Sequence, residues 1–231
     1  NDVAMKANIE TVRERIRAAA KAAGRAPESV RLVAVSKTVP AERVRGAVAC
    51  GLTLLGENYI QEARDKIAAL ADLSVSWHFI GHLQRNKAKY AVRLFELIHS
   101  VDSLKLAREL DKEAAKHGTV QDILIQVNTG KEASKSGVYA EEALALAREA
   151  GRLDHLAVRG LMTLPPYFNA PEKVRPYFRE LRELRDRIQA EALPGVAMEE
   201  LSMGMTGDFE AAIQEGATLV RIGTAIFGER R

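Results

Sequence analysis

Short apolar segments rich in β-branched residues alternate with helical patterns along almost the whole chain. These segments do not alternate apolar with polar residues, which is typical of strands that are covered on both faces. A strand followed by a helix about eight times within 231 residues predicts a (β/α)8 TIM barrel. The predicted strands fall at 30–36, 52–57, 75–81, 95–101, 122–128, 156–163, 197–204 and 218–224.

A doubly wound open sheet is the alternative fold. It usually carries a glycine-rich phosphate-binding turn after its first strand, and the corresponding segment here, VSKTVPAE, contains no glycine. No linker or low-complexity segment interrupts the series. We therefore expect one domain over residues 1–231, with a helix at 1–25 packed on the barrel.

The composition narrows the class of protein further. A net charge of +3, with acids interleaved among the basic residues, gives little support for a nucleic-acid partner. No apolar run approaches the roughly 20 residues that cross a bilayer, and the first segment lacks the apolar core of a signal peptide. The single cysteine, Cys50, fits a reducing compartment, and the histidines share no metal-ligand spacing. We expect a cytoplasmic protein without a metal.

Most residues capable of chemistry end the predicted strands or follow them closely. In a TIM barrel the carboxyl ends of all strands form one face, where active sites are built. The sequence therefore predicts one site composed of side chains from distant segments, with these candidates: Lys37, His82, Asn128, Met162, Thr163, Ser202, Arg221, Gly223 and Thr224.

Lys37 ends the first apolar run and has two interpretations. Its side chain can extend past the strand end, with the ammonium in water or on a carboxylate. Alternatively it is buried, where desolvation favours the neutral amine, and such an amine can attack a carbonyl to form a Schiff base. The C-terminal part of the chain favours the second interpretation.

The last two predicted strands are each followed by a turn of small and hydroxyl residues. Ser202 and Gly204 precede Thr206 after the seventh strand, and Gly223 and Thr224 follow the eighth. Backbone amides and hydroxyls suit a phosphate dianion, which TIM barrels commonly bind at this corner. The simpler alternative is that Thr206 caps a helix and Gly223 only makes room. A phosphate site and a reactive lysine on one face together predict pyridoxal 5'-phosphate (PLP), which has a phosphate and an aldehyde.

Arg221 lies within an otherwise apolar strand, where an unpaired guanidinium would be costly. Directed at the pyridine nitrogen of PLP, it can only donate a hydrogen bond, so that nitrogen would stay unprotonated. The cofactor would then be a weak electron sink. Pairing of Arg221 with a core acid such as Glu200 is the alternative.

A series of longer motifs points to a family. They run in order from Val33 to Arg230: VAVSKTVP, LLGENYIQEARDK, WHFIGHLQRNKAKY, HSVD, QVNTGKEASKSGV, RGLMTLPP, LSMGMTGDFEAAI and VRIGTAIFGER. Together they resemble the pyridoxal phosphate homeostasis proteins, which are single-domain relatives of the alanine racemase barrel. The resemblance implies that Lys37 carries PLP as an internal aldimine and that Arg221 faces the ring nitrogen. It also implies the remaining contacts: Ser202, Thr206, Gly223 and Thr224 with the phosphate, and Asn58 and His82 at the edge of the ring.

Three of these positions need a comment. Thr206 stands where many relatives have serine, which keeps the hydroxyl. Asn58, three residues before Gln61, can instead cap a helix. His82 can instead be a structural histidine.

Two functions remain open: a carrier that holds PLP and supplies it elsewhere, and a racemase-like enzyme acting on amino acids. Two-base racemisation needs a second acid/base opposite the lysine, and in alanine racemases a tyrosine from a second domain of the partner subunit supplies it. This chain ends at Arg231, and its tyrosines fall mostly on helices or late loops. We therefore expect a monomeric carrier, with apo PLP-dependent enzymes as candidate recipients and with racemase activity weak or absent. A lysine-dependent aldolase without PLP is a third alternative.

Overall fold

The computed structural model describes residues 2–133 and 135–229, without the side chain of Asp2. Strands and helices alternate in the order that the sequence predicts. The strands are β1 (Arg31–Val35), β2 (Leu54–Glu57), β3 (Ser76–Phe79), β4 (Leu97–Val101), β5 (Gln121–Val127), β6 (Leu156–Thr163), β7 (Val196–Ser202) and β8 (Leu219–Ile222). The helices are α1 (Asp2–Ala22), α2 (Ala41–Ala49), α3 (Ile60–Ala69), α4 (Ala88–Leu94), α5 (Leu104–Lys116), α6 (Ala140–Gly151), α7 (Pro171–Ala190), α8 (Phe209–Gln214) and α9 (Thr224–Phe227), with 3-10 turns at Pro27–Ser29 and Arg85–Lys87.

The strands form a closed parallel barrel. Each strand pairs with the next, and β1 also pairs with β8, where Val33 lies opposite Arg221. The predicted TIM barrel is confirmed, and closure between β1 and β8 rules out the open sheet. Because all strands are parallel, their carboxyl ends meet at one face.

Apolar side chains form the core on both sides of the strands. The outer group lies between the strands and the helices. The inner group fills the barrel with one residue from each of six strands: Val33, Leu54, Leu97, Leu124, Met162 and Leu219. Since successive side chains of a strand face opposite sides, a strand buried on both sides must be apolar throughout. This explains why the strand segments show no polar alternation.

Helix α1 packs against α8 and α9. Its large buried residues are spaced three or four positions apart, which places them on one face of the helix: Met5, Ile9, Val12 and Ile16. None of the helices within the described residues is long and apolar enough to cross a membrane.

Candidate cofactor site

A cavity of about 710 Å³ opens at the carboxyl-terminal face of the barrel. Residues at or after the ends of seven strands, all but β4, line it. Seven of the eight residues predicted to contact the cofactor are among them: Lys37, Asn58, His82, Thr206, Arg221, Gly223 and Thr224. The prediction that distant strand ends form one site is therefore consistent with the geometry.

Lys37 is the second residue after β1 and lies in a tight turn. The Val39 N–H donates to the carbonyl of Ser36 at 3.0 Å. Thr38 has a φ of 62°, a left-handed conformation that is rare for a β-branched residue. The side chain of Lys37 is half-buried and lines the cavity, and no carboxylate of a described residue pairs with it. Its amine is thus available on the cavity side of the turn.

Arg221, in β8, is fixed from two neighbouring strands. Its Nη2 donates to the carbonyl of Thr163 at 2.9 Å, and its Nη1 donates to the hydroxyl of Ser202. The alternative pairing with Glu200 is wrong: the described acceptors of Arg221 are Thr163 and Ser202, and the carboxylate of Glu200 pairs instead with Arg31 at 3.7 Å. Arg221 is only 2% exposed yet lines the cavity, so it presents a buried cation to the cavity.

The charge of Arg221 survives its burial. Desolvation lowers the pKa of Arg221 to about 10, and the carboxylate of Asp208 partly opposes that shift. The guanidinium is therefore protonated at neutral pH. Burial raises the pKa of Asp208 above its ordinary value, while a backbone hydrogen bond from Met205 and the charge of Arg221 oppose that rise.

Ser202 was predicted to contact the cofactor and does not line the cavity, and the strand-end candidates Asn128, Met162 and Thr163 do not line it either. It is fully buried, and its hydroxyl bonds to Arg221 and, at 2.8 Å, to Nδ1 of His99. Nε2 of His99 lies 2.9 Å from Nδ1 of His78, which is also fully buried. The resemblance assigned Ser202 to the phosphate, but here its hydroxyl is directed along the barrel interior towards this pair of histidines.

The hydrogen bonds in this buried chain run in one direction. A guanidinium can only donate, so Ser202 accepts from Arg221, and among the described residues Nδ1 of His99 is the acceptor for the proton of Ser202. Burial lowers the pKa of His99 well below its ordinary value and that of His78 to about 3, so both rings are neutral at pH 7. Neutral His99 then donates from Nε2 to His78. The position and orientation of Arg221 are therefore tied to three consecutive hydrogen-bonding groups, Ser202, His99 and His78.

The two predicted phosphate turns lie side by side. The backbone N–H of Ala225, in the first turn of α9, lies 3.4 Å from Oγ1 of Thr206. Gly223 and Thr224 immediately precede it and also line the cavity. Thr206 does not cap α8, which begins at Phe209 after an N-cap at Asp208. The small-residue turns after β7 and β8 thus form one corner.

Asn58 and His82 lie on the loops after β2 and β3. The alternative role of Asn58 as a helix cap is wrong, because the N-cap of α3 is Tyr59 and no side chain caps that helix. Oδ1 of Asn58 is instead buried at the cavity without a hydrogen-bond partner among the described residues. His82 is exposed at the cavity, so it is not a buried structural histidine. Gly81 lets the two loops meet, since any side chain there would overlap the backbone of Asn58.

The sequence did not single out the loops after β5 and β6, which supply much of the remaining wall. Lys135 lines the cavity and its Nζ donates to the carbonyl of Pro165 at 3.0 Å, which joins these two loops. Tyr167 also lines the cavity and is 90% exposed, although no sequence feature predicted a tyrosine there. The motifs SKSGV and RGLMTLPP, both just after strand ends, were the available signal.

These features fit PLP. The cavity has room for a substituted pyridine, and it presents a half-buried amine, a buried guanidinium and a corner of hydroxyls and small residues. The unpaired Oδ1 of Asn58 is an acceptor that only a donor from outside the described residues would satisfy. The site therefore matches a ligand with a carbonyl, a ring nitrogen and an anion at separate positions.

Known proteins share both the sequence and the fold. The alanine racemase N-terminal domain family matches residues 4–231, which defines the class of barrel. The chain is 52% identical over 223 residues to the pyridoxal phosphate homeostasis protein of Aquifex aeolicus, with 96% of this chain and 97% of that protein covered. It is 42% identical over 238 residues to the protein of the same name from Escherichia coli K12, with 100% and 97% covered. The chain therefore belongs to the alanine racemase N-terminal domain family and, within it, to the pyridoxal phosphate homeostasis proteins.

Solved structures agree. PipY of Synechococcus elongatus PCC7942, solved with PLP bound, superposes with a TM-score of 0.85 at 36% identity, covering 97% of this chain and all of that one (100%). The alanine racemase of Streptomyces coelicolor shares the fold with a TM-score of 0.75 at 22% identity, covering 99% of this chain and 59% of that one.

Proposed function

We propose that this protein binds PLP in the cavity, holds it covalently on Lys37, and buffers or supplies it inside the cell. The observation that carries the proposal is the arrangement of an amine, a buried cation and a hydroxyl corner around one cavity of about 710 Å³. Membership of the homeostasis family, and the PLP bound in the PipY structure, support the same conclusion.

Lys37 supplies the covalent link. Its neutral amine attacks the aldehyde carbon, a carbon–nitrogen double bond replaces the carbonyl, and the carbonyl oxygen leaves as water. The reaction is reversible, so the same group can release the cofactor. This chemistry suits a carrier, because storage and delivery use the two directions of one step.

The other predicted residues orient the cofactor. Thr206, Gly223 and Thr224 hold the phosphate with hydroxyl and backbone donors. Asn58 and His82 contact the edge of the ring. Ser202 was also predicted to contact the phosphate. We propose that it acts indirectly, by orienting Arg221 through their hydrogen bond.

Arg221 makes a carrier more plausible than a racemase. PLP would supply an electrophilic carbon and an electron-withdrawing ring. A guanidinium donating to the ring nitrogen keeps that nitrogen unprotonated, which weakens the ring as an electron sink. Tyr167 does not alter this balance, since a tyrosine that is 90% exposed is not held in place for proton transfer at the ring. We propose a cytoplasmic, monomeric carrier, with apo PLP-dependent enzymes as recipients.

The first prediction tests the covalent link. Wild-type protein loaded with PLP and separated from unbound cofactor should show a visible absorption band that borohydride abolishes, and peptide mass spectrometry should then find the reduced cofactor on Lys37. Lys37→Ala should lack both. Lys135→Ala, which removes the other lysine at the cavity, is the matched control and should keep the band. A band that survives in Lys37→Ala and disappears in Lys135→Ala would contradict the assignment.

The same loaded protein distinguishes carrier from racemase. Amino acids incubated with it in deuterium oxide should show no multi-turnover exchange at the α-carbon, while an added apo enzyme should gain activity. Robust exchange, reduced in Tyr167→Phe, would favour the racemase. A protein that stays colourless with added PLP would favour the aldolase.

A further inference from the structure

A buried ionic cluster lies directly behind the turn that carries Lys37. Lys66, on α3, is 6% exposed, and Glu57, at the end of β2, is fully buried. Nζ of Lys66 lies 3.2 and 3.1 Å from the two carboxylate oxygens of Glu57 and 3.0 Å from Oε1 of Glu62. None of these three residues was singled out by the sequence, and none lines the cavity.

The cluster binds the chain on both sides of Lys37. Lys66 also donates to the backbone carbonyl of Ser36 at 2.6 Å, so the three protons of its ammonium meet three acceptor groups. The hydroxyl of Ser36 donates to Glu57, and the backbone N–H of Thr38 donates to Glu62. Residues 36 and 38 are thus both held, while the intervening side chain is left on the cavity side.

Stability alone is a weak reason for such a cluster. Removing two charges from water is costly, and well-packed apolar residues often replace a buried ion pair without loss of stability. The desolvation is evident at Glu57, where burial raises the carboxyl pKa although Ser36 and Lys66 act in the opposite direction. A geometric requirement explains the cluster better, because the turn includes the left-handed Thr38 and needs an external constraint.

No described residue bonds to the amine of Lys37, so the direction of its side chain depends on its backbone. We propose that Lys66, with Glu57 and Glu62, positions the 36–38 turn so that the amine of Lys37 reaches the carbonyl carbon of a bound aldehyde. This inference rests on the proposed function, since it assigns these residues to the covalent step. They are positioning residues, because they act through the backbone of the turn.

The test compares two ligands in Lys66→Met. PLP binds through its phosphate, its ring and the covalent link, whereas pyridoxamine 5'-phosphate has no aldehyde and uses only the first two. We expect Lys66→Met to lower the affinity for PLP about 10-fold or more, since small misplacement of a reacting group costs up to about 100-fold. Affinity for pyridoxamine 5'-phosphate should stay within about 2-fold of wild type.

Two further variants provide a second test and a control. Glu62→Gln keeps the Lys66–Glu57 pair and weakens the contacts of residue 62 to Thr38 and Lys66, so it tests the proposal even where Lys66→Met folds poorly. It should show the same selective loss to a smaller degree. Lys116→Met breaks a more exposed lysine–glutamate pair elsewhere, where Lys116 lies 2.9 Å from the mostly buried Glu113, and should leave both affinities unchanged.

Amide hydrogen exchange at Thr38 separates this inference from the proposed function. The amide should be protected in the cofactor-free wild type and should exchange faster in both cluster variants. A wild-type protein that protects this amide but yields no borohydride-reduced adduct on Lys37 would contradict the proposed function alone. Equal losses for both ligands, or exchange at Thr38 unchanged in both variants, would overturn the positioning role.

Discussion

At position 221 a guanidinium is enclosed among strands and can only donate hydrogen bonds. The hydroxyl of Ser202 and the carbonyl of Thr163 accept two of them, and the remaining donors are available to the cavity. A single serine hydroxyl thus connects the cavity to the buried histidines. Arg221 therefore contacts the cavity, whereas Ser202 supports it from behind by holding Arg221.

Replacing Ser202 and Thr206 by alanine should separate those roles. Ser202→Ala leaves a donor on Arg221 and an acceptor on His99 unpaired in the interior, which should lower the free energy of unfolding by about 1–3 kcal/mol. Thr206→Ala, at the partly exposed corner, should change it by less than about 1 kcal/mol. It should instead weaken PLP binding about 10-fold, the value expected for one hydrogen bond to a charged group. Urea titration and PLP titration of both variants measure the two effects.

The opposite pattern is informative. If Ser202→Ala weakens PLP binding as Thr206→Ala does and leaves stability unchanged, then Ser202 contacts the phosphate directly, as the family resemblance implied. The direct contact of Ser202 stays a prediction until that measurement is made.

Strand β6 is the element that sets where several site groups lie. Its register shifts against β7 between Val158 and Gly160. Val158 and Leu161 both belong to the outer core although they are three residues apart, whereas Met162 belongs to the inner group. In a regular strand residues three apart face opposite sides of the sheet. The register shift reverses this alternation, so that Val158 and Leu161 both face the outer core. It thereby places the carbonyl of Thr163 against Arg221.

Gly160 should be indispensable to this irregularity. A side chain there would overlap the backbone carbonyl of Glu200 on β7, so Gly160→Ala must push the two strands apart. We expect the free energy of unfolding to fall by about 3 kcal/mol, the upper range for overpacking in a core. Gly207→Ala is the control, because a methyl group there meets no atom within 4 Å. Equal unfolding free energies for the two variants would show that the strands separate easily.

At the scale of the whole molecule, burial of His78 and His99 couples the fold to pH. The folded-state pKa of His78 is lowered to about 3 and that of His99 is also well below its ordinary value, in both cases first because of desolvation. In the unfolded chain both rings titrate normally, near 6.5. Between those values the unfolded state binds protons that the folded state excludes, so stability falls as the pH falls.

The expected slope is measurable. Each histidine contributes up to about 1.4 kcal/mol per pH unit once the pH is below about 6. Glu57 has the opposite sign, because burial raises its pKa. Urea unfolding from pH 7.5 towards pH 5 should therefore show declining stability, and His99→Gln should remove about half of the histidine slope. His117→Gln, at the exposed end of α5, controls for the loss of any histidine; a slope unchanged in His99→Gln would contradict the coupling.

The fold was predictable because its signals are local. The period of the apolar pattern identifies strands and helices, and the absence of polar alternation indicates strands buried on both sides. The number and order of these segments then predict a barrel, and a parallel barrel brings the strand ends to one face. That residues 1–231 form a single domain stays a prediction.

The candidate site was predictable to the level of strand ends, which located five of the residues that line the cavity: Lys37, His82, Arg221, Gly223 and Thr224. Thr206 came from the turn of small and hydroxyl residues, and Asn58 from the family resemblance. Side chains of a strand alternate between the two sides of the sheet, and a single bulge reverses that alternation for all later residues. The side on which a strand-end residue lies therefore depends on such bulges, and also on hydrogen-bond partners that are distant in the chain. Ser202, which the family resemblance assigns to the phosphate, forms a hydrogen bond with Arg221, 19 residues away in sequence. No sequence feature distinguishes Lys66 from other helix residues, yet its ammonium donates to the backbone carbonyl of Ser36, 30 residues away.

The sequence by itself determined the barrel, the face that carries the site, and the chemical types of the groups gathered there, because apolar periodicity and strand order are properties of neighbouring residues. Only the tertiary structure decided which of those groups meet the cavity and which support it from behind. The physical reason is that hydrogen bonds and ion pairs between elements depend on distances that the order of residues does not contain.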